Sequence, residues 1–63
     1  MDKLEYLLKE YIDRMEFLKG GLAQGNIPTM EEYRYVCGQI RGLEAACATI
    51  EDLKKRMENS DNE

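Results

Sequence analysis

An all-α fold, an antiparallel two-helix hairpin, follows from three features of this 63-residue sequence. Apolar residues recur at alternating spacings of three and four over two long stretches, which is the period of an amphipathic helix. One cluster of Gly and Pro separates the stretches. A Thr-x-x-Glu pattern stands where the second begins. The expected organisation is one domain over 1–63: a helix at 2–23, a turn at 24–29, a helix at 30–58 and a frayed polar tail at 59–63.

In the first stretch Leu4, Leu8, Tyr11, Met15, Leu18 and Leu22 follow spacings of 4, 3, 4, 3 and 4, a heptad seam along one helical face. Leu7, Ile12 and Phe17 fall outside it and widen the apolar surface beyond the stripe of a two-stranded coil, so this helix is expected to have more than one neighbour. Glu5 with Lys9 and Glu10 with Arg14 are i,i+4 pairs in the favourable order. Each such pair stabilises a helix by only about 0.2–0.5 kcal/mol, and together they read as a solvated face.

Gly20, Gly21, Gly25, Asn26 and Pro28 interrupt the pattern. Gly favours helix ends, and Pro lacks the N–H that a continuing helix needs. Because Leu22 and Ala23 carry the apolar pattern past Gly20 and Gly21, the break is placed between Ala23 and Pro28. Thr29 and Glu32 then form a capping-box pattern, with the hydroxyl accepting from the third helical amide and the carboxylate reaching back. The second helix is expected to begin at Met30.

That helix carries Tyr33, Val36, Ile40, Leu43, Cys47 and Ile50, again at spacings of 3 and 4. The stripe then slips to Ala46, Ile50, Leu53 and Met57, in the manner of a stutter. Lys54, Lys55 and Arg56 are expected in its last turns, where cations complement the negative end of the helix dipole. Residues 30–58 would span about 43 Å against about 30 Å for the first helix, so the longer one must overhang.

Gly38, Gly42, Ala45, Ala46 and Ala48 place small residues within this second helix. A Gly inside a helix costs roughly 0.8–1.0 kcal/mol relative to Ala, so Gly38 and Gly42 suggest that something bulky comes close. With Ala46 they make a small-xxx-small groove, which admits a neighbouring backbone on steric grounds. Two visitors fit: another helix, or a large side chain such as Phe17 or Tyr11 from the first helix.

The side-chain inventory argues against an enzyme. There is no His, and the single Ser, Ser60, falls in the expected tail, so neither a Ser-His-Asp nor a Cys-His arrangement can be assembled. Cys37 and Cys47 are ten residues apart on one helix, about 15 Å along its axis, and cannot bridge each other. They read as small buried thiols in a reducing cytoplasm, with an intermolecular disulfide as the alternative. Neither CxxC spacing nor His accompanies them. The adjacent acids Glu31 and Glu32, and Glu51 and Asp52, diverge by about 100° on a helix, so no metal site and no cofactor is expected.

Nine basic against thirteen acidic residues give a net charge of -4, which disfavours a broad phosphate-binding surface. Tyr33, Arg34, Tyr35, Gln39 and Arg41 have groups that stack on bases, but a protein interface uses Tyr and Arg equally well. Nucleic acid is therefore not the expected partner. The opening residues MDKLEYLLKEY carry charge in every turn, so neither a secretory signal nor a membrane helix is expected, and the location is read as cytoplasmic.

The segment 32–53 resembles short helical proteins encoded by tailed double-stranded DNA phages, the short-tailed ones above all. The resemblance rests on a Tyr-rich start, Tyr33 and Tyr35, followed by Gly38, Ile40, Gly42, Leu43 and Glu44 in a G-x-I-x-G-L-E run. It covers about a third of the chain. It implies a phage origin, with two roles open to a small acidic protein of that kind: a minor part of the virion, or an early protein that binds and redirects a host enzyme.

A lone hairpin would leave one flank of both helices wet, and association is the natural remedy. The expected function is a non-enzymatic protein-protein interaction module, a virion component or assembly accessory, with a regulator of a host enzyme as the alternative. The expected partners are a second copy, giving a dimeric four-helix bundle, and a larger phage or host protein. The expected interface comprises Leu8, Tyr11, Met15, Leu18, Tyr33, Val36, Gly38, Ile40, Gly42, Leu43, Ala46 and Ile50.

Overall fold

The computed structural model describes residues 2–25 and 27–61. Its elements are two helices, α1 (Lys3–Ala23) and α2 (Met30–Asp61), packed against each other as a hairpin. The particle measures 52 × 19 × 13 Å, one long helix with a shorter one alongside.

α1 starts where Asp2 caps it: the Glu5 N–H donates to Asp2 Oδ1 at 2.8 Å, satisfying one of the orphan amides of the first turn. Its end is equally local. The Gln24 N–H donates to the Gly20 carbonyl at 3.0 Å and the Gly25 N–H to the Leu22 carbonyl at 3.1 Å. Gly25 takes φ +72°, a left-handed conformation that reverses the chain after the helix and suits Gly best. The break thus falls between Ala23 and Pro28 as the sequence pattern indicates, while Asn26 lies outside the described residues. At the start of α2 the Glu32 N–H donates to Thr29 Oγ1 at 3.1 Å, the hydroxyl arm of the expected capping box.

The heptad seam of α1 packs as read. Leu4, Leu8, Tyr11, Met15, Leu18 and Leu22 are all half-buried, whereas Ile12 and Phe17 remain exposed. On α2 the buried core is Ile40, Cys47 and Ile50, each 7% exposed, with Val36 half-buried one turn before them and Leu43 half-buried among them. The expected slip after Ile50 does not occur. Lys54, four residues on, and Met57, three further, keep the heptad register, Lys54 half-buried and Met57 52% exposed beside Leu4 at the open end, while Leu53 is 43% exposed off the seam. The long apolar stem of Lys54 lies along the seam and its ammonium reaches Glu5 Oε1 of α1 at 3.4 Å, so a cation continues the stripe that apolar residues begin.

Other expected features differ for related reasons. α2 continues to Asp61, three residues beyond the expected end, because Asn59 and Ser60 offer no Gly or Pro to stop it. Lys54, Lys55 and Arg56 therefore stand upstream of the last turn, which holds no basic residue. Arg56 instead meets Asp52 one turn back, at 2.8 Å. Glu5 goes to Lys54, and Arg14 lies 5.9 Å from the centre of the Tyr11 ring in a cation-π contact. At 32 residues α2 is about 48 Å long, and the 21 residues of α1 about 32 Å, so α2 overhangs its partner.

Candidate protein-interaction surface

The twelve expected interface residues divide into two sets. Leu8, Tyr11, Met15 and Leu18 on α1, and Val36, Ile40, Leu43 and Ile50 on α2, form the seam inside the hairpin, and Ala46 borders it half-buried. Their packing is already used. Tyr33, 48% exposed, lies near the start of α2, and Gly38 and Gly42 are exposed on its outer side.

The glycines settle the choice left open by the sequence within this chain. A Cβ built on Gly38 or on Gly42 meets no heavy atom within 4 Å, so neither Phe17 nor Tyr11 fills the space above them. Each stands two residues beyond a seam residue, Val36 or Ile40, which is about 200° around the helix. The small-xxx-small surface faces outward, and a helix interior that tolerates two Gly there has room for a neighbour that the hairpin does not supply.

Beside it runs an open cleft lined by Arg14, Phe17 and Leu18 of α1 and by Gln39, Gly42 and Leu43 of α2. Phe17 is 81% exposed at its rim. Helical period extends this flank in both directions. Leu7 lies one heptad before Arg14, and Ala46 and Leu53 lie one and two heptads after Gln39, so these residues share it. The opposite flank carries Glu5, Ile12 and Lys19 of α1 and Cys37, Glu44, Glu51 and Glu58 of α2 at the corresponding heptad positions. The hairpin thus has one side richer in charge, most of it acidic, and one richer in apolar residues.

Phe17, Leu7 and Leu53 are absent from the expected interface. The signal was present, since Leu7 and Phe17 fall off the seam, but periodicity alone does not say on which flank of the hairpin an off-seam residue emerges. Tyr35 also stands out, with its hydroxyl accepting from Gln39 Nε2 at 3.4 Å.

Both cysteines are free thiols; Cys47 is buried in the seam, whereas Cys37, expected to be buried, is half-buried. Among the described residues no three His, Cys, Asp or Glu side chains converge as a metal site. None of the described helices is long and apolar enough to cross a membrane. No family model, curated protein or solved structure matches the chain.

Proposed function

We infer that this chain is a non-enzymatic protein-protein interaction module that works in an associated form, with the hairpin as its unit and a dimeric four-helix bundle as its simplest state. The observation that carries the reading is surface area. A folded monomer of this mass exposes about 4,200 Å² by the general scaling, whereas this chain exposes 5248 Å². Among the described residues the buried core is three residues, none of them fully buried. Among the described residues nine large apolar side chains remain exposed, Phe17 at 81% foremost, and exposed apolar surface of that kind is the usual mark of a protein contact.

The resemblance to small phage proteins gives the module a place, as a virion component or assembly accessory acting from the host cytoplasm. Affinity capture of the tagged chain from infected cells, followed by mass spectrometry of purified particles, tests this. A stoichiometric signal in particles supports the reading. Capture of one host enzyme with none in particles assigns the regulatory role instead.

A further inference from the structure

Resting on the reading of an associated module, we propose that the flank carrying Leu7, Phe17, Gly42, Ala46 and Leu53 seats a second copy of this chain, with each Phe17 ring filling the notch above the other copy's Gly42. The occupant follows from the flank itself. It carries a projecting ring, Phe17, and a position without a side chain, Gly42, facing each other across one cleft at the same height along the hairpin. A two-fold axis running along that cleft, parallel to the helices, exchanges the two positions. In an isologous contact residue i meets j and j meets i, so a knob and a hole at equal distances from the axis are satisfied twice by one operation.

The rest of the flank agrees with the same axis. Leu7 lies ten residues before Phe17 and Leu53 eleven after Gly42, and because the helices are antiparallel both displacements run the same way, by about 15 and 16 Å. The axis therefore sets Leu7 of one copy across from Leu53 of the other. By the same count Arg14 lies across from Ala46, so the one charged residue at these inner flank positions meets a methyl group rather than a like charge. Each α1 comes to lie over the α2 of the second copy, leaving all neighbouring helices antiparallel as in an up-down bundle.

The exposure in excess of a compact monomer is about 1,000 Å² per chain, and a standard stable interface takes about 800 Å² from each partner. On the opposite flank Glu44, Glu51 and Glu58 give α2 three acids, and the α1 residues they would face across a like axis, Glu5, Ile12 and Lys19, offer only one cation against them.

Light scattering and sedimentation over micromolar to millimolar concentrations test the proposal, using the full chain, Phe17→Asp, Gly42→Leu and, on the opposite flank, Glu51→Lys. Phe17 is 81% exposed and a Cβ built on Gly42 meets nothing within 4 Å, so helicity by circular dichroism serves as the folding control. The parent is expected at twice 7.3 kDa, with the dimer dissociation constant raised at least tenfold by Phe17→Asp and by Gly42→Leu and unchanged by Glu51→Lys. A mixed sample of labelled and unlabelled chain should show an isotope-filtered contact between the Phe17 ring and the Gly42 Hα of different copies. A parent dimer indifferent to both flank variants and lacking that contact overturns the proposal while leaving the interaction module in place. A parent monomeric throughout also overturns it. The module reading then survives only if the parent, and not Phe17→Asp, captures one other protein in infected cells, and falls if neither captures any.

Discussion

Lys54 Nζ lies 3.4 Å from Glu5 Oε1, joining the last part of α2 to the first turn of α1 across forty-nine residues of sequence. The contact fixes the antiparallel register at the open end of the hairpin, far from the turn that fixes the other end. Lys54 is also a seam residue, following Ile50 at the heptad spacing where an apolar side chain would ordinarily stand.

Replacing Lys54 by Leu is expected to raise the melting temperature. The ion pair is part exposed, with the side chains 25% and 46% accessible, and pairs of that kind contribute about 0–1 kcal/mol. A Leu at the same seam position, burying its side chain, gains about 1.5–3 kcal/mol relative to exposure. Glu5→Gln should cost under about 1 kcal/mol, and the cost should shrink as salt is added. Thermal melts at low and high ionic strength check both.

Two caps hold the helix starts, and their loss should be similar in size. Asp2→Ala removes the acceptor of the Glu5 N–H, and Thr29→Ala removes that of the Glu32 N–H. Each should lower stability by about 0.5–2 kcal/mol. Since neither residue lies on the apolar flank, urea titration should show the loss while the affinity of the folded chain for its partner is retained.

Much of this fold is legible in the sequence because a single period governs it. Leu4 through Leu22 reads as one seam and packs as one seam, and Thr29 with Glu32 marks the start of α2 by a pattern with a direct hydrogen-bonding cause. What escapes is where two local rules compete. Leu53 drew the stripe towards itself because it is apolar, yet the register that Ile40, Cys47 and Ile50 impose runs on to Lys54, whose stem serves as a seam residue, and to Met57. The outward placement of Gly38 and Gly42 was recoverable, since both stand two residues past the seam. Which flank Phe17 shares with Gly42 was not, because it depends on how the two helices meet in space.

The turn supplies a separate prediction. Gly25 holds φ +72°, the left-handed region, while its N–H donates to the Leu22 carbonyl. A built Cβ meets nothing there, so the cost of a side chain is conformational alone. Gly25→Ala should destabilise the hairpin by about 1–2 kcal/mol, and Gly25→Asn by less, because Asn tolerates this region better than Ala. Comparing the two by equilibrium unfolding separates backbone strain from any effect of side-chain size.

Gly42 separates the stability of the hairpin from the stability of its association. Within one chain its Cβ position is open space, so Gly42→Ala brings only the helix-propensity gain, about 0.8–1.0 kcal/mol. In a Phe17→Asp background, where association is expected to be lost, the Ala variant should therefore melt higher than its parent by that amount. In the otherwise native chain at high concentration the same methyl group occupies the notch expected to receive the second copy's Phe17, and overpacking a contact costs about 1–3 kcal/mol. The gain should then shrink or reverse as concentration rises, and reverse outright for Gly42→Leu. Melting curves of these variants at micromolar and millimolar concentration read the crossover, because the stability of an associated state depends on the amount of protomer and that of a lone hairpin does not. A Gly42→Ala gain that stays the same at both concentrations would place Gly42 in solvent in every state of the protein.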